Sequence, residues 1–136
     1  MSVKAVAIAI VATFALDILT AVALTALLGG PLFQPGMSDE EMRAAVTAFV
    51  ATRSFQVSSL ILGTFSTVVG GYLAGHFAKT LPYMNAFAFG LFGLVFGALT
   101  TDEMPLWYNI LGFGLMLPAA LFGGHIAKRG LKGFPW

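Results

Sequence analysis

Four apolar runs, at 5–28, 55–78, 82–100 and about 106–127, dominate this chain. Each is near the roughly 20 residues that an α-helix needs to cross the hydrocarbon core of a bilayer. Asp17 is the only Asp, Glu, Lys or Arg within them. Charged residues make up 10% of the 136 residues, whereas a soluble domain carries about 25%. With 58% hydrophobic residues and a mean hydropathy of +0.89, the chain lacks the polar surface a water-facing fold requires. Soluble enzymes, nucleic-acid binders and disordered linkers are thereby excluded. The runs are too long for barrel strands and do not alternate with period two. The first is also too long for a cleaved signal peptide and has no clear small-x-small site after it, so it reads as retained. The expected fold is all-α integral membrane: one four-helix transmembrane domain over residues 1–136.

Basic residues collect on the cytoplasmic side of a membrane protein. An N-in arrangement puts Lys4, Lys79, Lys128, Arg129 and Lys132 inside and leaves Arg43 and Arg53 outside. Asp39, Glu40, Glu41, Asp102 and Glu103 then fall in the two outer loops, and both termini are cytoplasmic. In the first outer loop, Gly29, Gly30, Pro31, Pro35 and Gly36 interrupt the chain. Ser38 and Glu41 have capping-box spacing and open a helix predicted over 39–52. Met42, Ala45, Val46, Phe49 and Val50 share one face of it, as an amphipathic helix on the membrane or roofing the bundle requires. Trp107 and Tyr108 read as an outer aromatic belt, with Tyr83 on the inner side. The tail 128–136 combines three cations with Trp136, which suits anionic lipid headgroups at the inner face.

The second and fourth runs align without gaps at an offset of 49. Ile61-Leu62-Gly63 matches Ile110-Leu111-Gly112, Gly75-His76 matches Gly124-His125, and Ala78-Lys79 matches Ala127-Lys128. That pattern predicts two helical hairpins inserted in the same direction, a parallel repeat. Lipid gives helices no hydrophobic reason to associate, so small residues must let backbones approach. One such row is Ser59, Gly63, Thr67, Gly71 and Gly75; a second is Ser66, Gly70, Ala74 and Ala78. Gly90, Gly93 and Gly97 in the third run, and Gly123 and Gly124 in the fourth, continue the pattern. Either all of these serve packing within one bundle, or a spare row pairs with a second copy to make a homodimer.

A carboxylate at mid-membrane costs about 3 kcal/mol on insertion scales. Asp17 should therefore point into the bundle, with Thr13 and Thr20 on its face. Counting thirteen residues from the inner cations brings Ser66 and Thr67 to its level. In the fourth run the same count reaches Leu115, beside Gly114. Pro118 lacks an N–H and leaves the Gly114 carbonyl without its helical donor, which a protonated Asp17 is placed to supply. The expected buried polar cluster is thus Asp17, Thr13, Thr20, Ser66, Thr67, Gly114 and Pro118, as a helix lock, for proton or cation handling, or for a bound ligand. His76 and His125 end their helices at equal depth, each after a glycine. They suit lipid contact at the interface, or as an opposed pair, haem b. No metal site is expected from two histidines without a nearby carboxylate.

Leu16-Asp17-Ile18-Leu19, Gly70-Gly71-Tyr72-Leu73-Ala74-Gly75, Asn85-Ala86 and Leu117-Pro118-Ala119-Ala120-Leu121-Phe122-Gly123-Gly124 resemble a group of small four-helix bacterial integral membrane proteins of unknown function. The resemblance implies the bacterial inner membrane and a four-helix fold, and brings no activity. Where that group has arginine or another residue after the second-run glycines, this chain has His76.

Nucleophile elbow, phosphate loop, paired carboxylates and zincin motif are all missing, so no enzyme and no resident cofactor are expected. The leading expectation is a bundle acting through helix association, with itself or within a larger membrane complex. The alternatives are a proton- or cation-coupled transporter or channel using Asp17, and a haem-bearing electron-transfer subunit.

Overall fold

The computed structural model describes residues 1–100 and 104–130 and, among them, contains helices and no strand. Four helices are long and apolar enough to cross a membrane: α1 (Val3–Leu28), α3 (Arg53–Ala78), α4 (Pro82–Thr100) and α5 (Leu106–Gly130). The chain is a multi-pass membrane protein by that measure. Its outer surface agrees: Leu27, Leu99 and Leu106 are each at least 75% exposed, which lipid can cover and water cannot. Asp102, Glu103, Lys132 and Trp136 lie outside the described residues.

Helix ends follow capping chemistry rather than the edge of the apolar run. α1 begins before residue 5 because the Ser2 hydroxyl accepts the Ala5 amide, and it closes where the Gly29 amide reaches the Thr25 carbonyl. A fifth helix, α2 (Asp39–Val50), opens on a reciprocal capping box: the Glu41 amide meets the Ser38 hydroxyl, and the Ser38 amide donates 2.7 Å to the Glu41 carboxylate. α2 stops two residues short of its expected end because Thr52 is taken as the N-cap of α3, accepting the Phe55 amide. Phe49 is buried between the rings of Phe33 and Phe55 and pins α2 to the start of α3.

Contacts between α3 and α5 join residues at nearly constant separation (Ser59 with Tyr108, Gly71 with Ala120, Gly75 with Ala127), so these two helices run parallel. They form the most extensive interface. α1 lies on α3, and α4 lies on both α3 and α5. Among the described residues α1 touches α4 only lightly and does not pack on α5.

Packing is uneven along the bundle axis. At the end holding residue 3 and the 79–81 turn, small residues bring the helix backbones together, although a space of about 490 Å³ remains beside Thr80, Tyr83 and Lys128. A Cβ on Gly71 would stand 2.8 Å from the Ala120 Cα, and one on Gly123 would stand 2.6 Å from the Tyr72 amide. Gly70, Gly75, Gly90, Gly93, Gly97 and Gly124 likewise meet neighbouring atoms within 3.1 Å of such a Cβ. Asn85, fully buried, accepts the Ser2 amide at 2.7 Å and donates to the Thr80 and Leu81 carbonyls. It ties the start of α1 to the α3–α4 turn. The opening lies between α1 and α5, which among the described residues make no contact, and there a Cβ on Gly63 would meet nothing within 4 Å.

Candidate functional site: an acceptor-lined cleft at Asp17

The gap between α1 and α5 is a cleft of about 330 Å³. α1 supplies Asp17, Thr20, Ala21 and Leu24 to its wall, spaced three or four residues apart as one helix face must be. α3 supplies Ser59, Gly63, Thr64 and Thr67, and α5 supplies Tyr108, Asn109, Phe113 and Met116. Asp17, Thr67 and Met116 lie deepest from the α2 end, and they also line a second cavity of about 180 Å³. Thr13 borders that second space, with Phe14, Phe89 and Phe92 as aromatic wall. Met116, a flexible side chain, therefore stands between two spaces that share Asp17.

Asp17 is exposed within this cleft and is not sealed in a dry seam. The Ser66 hydroxyl, expected at its level, is buried without a hydrogen-bond partner among the described residues. Thr20 and Thr67 share the cleft with Asp17. Gly114 and Pro118 do not: both are exposed on α5, and a Cβ on Gly114 would meet open space. The expected bond between Asp17 and the Gly114 carbonyl is therefore not formed. Equal depth does not fix the direction in which a residue faces, and α5 turns Asn109, Gly112, Phe113 and Met116 towards α1 instead.

The α3 hydroxyls of the lining present acceptors. Thr64 and Thr67 donate their hydroxyl protons to the Leu60 and Gly63 carbonyls of their own helix, at 2.7 and 2.8 Å, which leaves lone pairs for the cleft. Ser59 donates to the Gln56 carbonyl at 3.1 Å. Its single hydrogen is then used, so the contact with Tyr108 is a donation from the tyrosine. Asn109 directs its amide NH₂ to the Met104 carbonyl, and its Oδ1 is buried without a partner. Among the described residues neither lysine, arginine nor histidine lines the cleft. At its rim, Arg53 lies over the Trp107 ring, 4.6 Å from the centroid.

The small-residue row of α3 thus has two uses. Ser59, Gly63 and Thr67 face the cleft, while Gly71 and Gly75 pack against α5. Tyr108, expected in an outer aromatic belt, turns inward to Ser59. Sequence reasoning did not single out Asn109, Thr64, Phe113 or Met116. For Asn109 a signal existed, since it is an amide in an apolar helix.

The histidines take separate partners. His76 stacks on Tyr72, and His125 Nδ1 bonds the Tyr83 hydroxyl at 2.6 Å, with Lys128 over the Tyr83 ring. Neither lines the cavities that hold Asp17. Among the described residues no three His, Cys, Asp or Glu are grouped to hold a metal ion. No family model, curated protein or solved structure matches the chain.

Proposed function

We propose that this chain is a small non-enzymatic membrane protein that binds a proton or cation at Asp17 and passes it through the bundle, as a transporter or channel. The observation that carries the reading is a carboxylate exposed in a cleft that, among the described residues, holds no other charge to pair with it. An intramembrane carboxylate is costly and is kept where it handles ions or protons. The basic residues orient the bundle with both termini in the cytoplasm of a bacterial inner membrane, so the cleft opens outward. The two hairpins act as parallel repeats, and their divergence supplies the opening: α4 packs on α3, whereas its counterpart pair, α1 and α5, stands apart. Anionic lipid at the inner face holds the basic helix ends.

Self-association rested on spare glycine rows. Eight of the nine packing glycines are occupied from within the bundle and Gly63 faces the cleft, which supports the Asp17 reading over assembly. Proton and monovalent-cation flux into liposomes, compared between wild type and Asp17→Asn, tests it. Flux that is lost in the variant while the protein stays folded supports the proposal; equal flux from both overturns it.

A further inference from the structure

We infer that the cleft selects an organic cation bearing N–H donors and an apolar body, a protonated amine, rather than a bare metal ion. The inference rests on the Asp17 reading and names its substrate class.

Three observations point this way. First, the polar groups of known hydrogen-bond direction face the cleft as acceptors. Thr64, Thr67 and Ser59 have given their protons to backbone carbonyls. Their remaining lone pairs are complemented by a ligand that brings donors. Second, among the described residues the sole full charge on the lining is the Asp17 carboxylate, which complements one positive charge. Third, the acceptors are dispersed. Ser59 and Thr67 are eight residues apart on α3, about 12 Å at the rise of an α-helix, and Phe55, Leu60, Phe113 and Met116 lie among them. A metal ion needs several oxygens converging at about 2.3–2.6 Å, and acceptors spread over that length do not all meet at one point. An ammonium group at Asp17, with an apolar or aromatic body along Phe113 and Met116, meets carboxylate, ring faces and acceptors together. The cleft volume of about 330 Å³ falls at the lower end of the range for small-molecule sites.

The test is calorimetric titration of the full chain in nanodiscs, with empty discs subtracted. The probes are 2-phenylethylammonium, benzyltrimethylammonium (same charge, no N–H), 2-phenylethanol (no charge) and sodium ion. 2-Phenylethylammonium should bind about tenfold or more tighter than the other three, the worth of a charge-assisted hydrogen bond. Asp17→Asn should weaken it by a similar factor. So should Gly63→Leu, which fills the cleft at a position with room for a side chain. Equal binding of the quaternary or neutral probe overturns the inference, as does binding that Gly63→Leu leaves unchanged. Absence of amine binding alongside Asp17-dependent flux overturns the substrate class and leaves the proposed function standing. Flux indifferent to Asp17 overturns that function itself.

Discussion

The hydroxyls of Ser59 and Tyr108 lie 3.2 Å apart and join α3 to α5 within the cleft wall. Their separation of 49 residues equals the offset at which the two helices align in sequence, so corresponding positions of the two segments meet face to face. Because Ser59 already donates to Gln56, Tyr108 is the donor. Tyr108→Phe should cost about 1 kcal/mol, the usual net worth of one hydrogen bond. Thermal unfolding in detergent should show a small fall in Tm for this variant, and Ser59→Ala should match it. A fall equal to that of a core-disrupting variant would mean that Tyr108 holds more than this contact.

Glycines that look alike in sequence should separate sharply on mutation. Gly71→Ala and Gly123→Ala each drive a methyl group into the backbone of the facing helix. Each should destabilise by several kcal/mol or force α3 from α5, since overpacking a tight seam costs about 1–3 kcal/mol even where side chains can yield. Gly63→Ala and Gly114→Ala meet open space and should leave the unfolding midpoint unchanged or slightly raised. Comparable losses at all four positions would contradict the division into packed and open ends.

Asn85 should be among the most sensitive polar positions. Asn85→Leu removes the acceptor of the Ser2 amide and the donors to Thr80 and Leu81. It should cost about 1–3 kcal/mol for each buried group left unpaired. The start of α1 should also gain amide hydrogen exchange, which mass spectrometry resolves at that end of the chain. Asn85→Asp, which keeps an acceptor but loses the NH₂, should exchange less at Ser2 than Asn85→Leu.

Acid should loosen α2 before the rest. The Ser38 amide and hydroxyl hold the Glu41 carboxyl below the usual carboxylate range. A depressed folded value means that this cap contributes fully above the unfolded value, and that its contribution is lost as pH falls through the folded one. Exchange at the first turn of α2 should therefore rise at the acid end of the carboxylate range, and Glu41→Gln should show little of that dependence. An unchanged profile in Glu41→Gln would assign the acid response elsewhere.

The helices were legible because run length, capping residues and breakers act locally: the Ser38–Glu41 box and the turn before Pro82 stand where their chemistry puts them. The site was half legible. Asp17 announced itself by its cost in lipid, Thr20 by periodicity and Thr67 by depth. The facing of α5 was not readable from depth counting, which places Gly114 level with Asp17 but says nothing of rotation about the helix axis. Nor was the division of the Ser59–Gly75 row into cleft and seam, because that depends on where α1 and α5 diverge. The acceptor polarity of the lining is a tertiary property too, set by which carbonyl each hydroxyl has already found.

An Asp17 cleft open at the α2 end can be tested directly, because the chain contains no cysteine. Single cysteines at Gly63 and Gly114, probed in native membranes with a charged, membrane-impermeant thiosulfonate, compare the cleft wall with the lipid-facing surface at neighbouring depth. Gly63→Cys is expected to react readily, and to be protected by prior occupancy of the cleft, while Gly114→Cys stays unlabelled. A Gly63→Cys variant that is folded yet as inert as Gly114→Cys would contradict the open cleft.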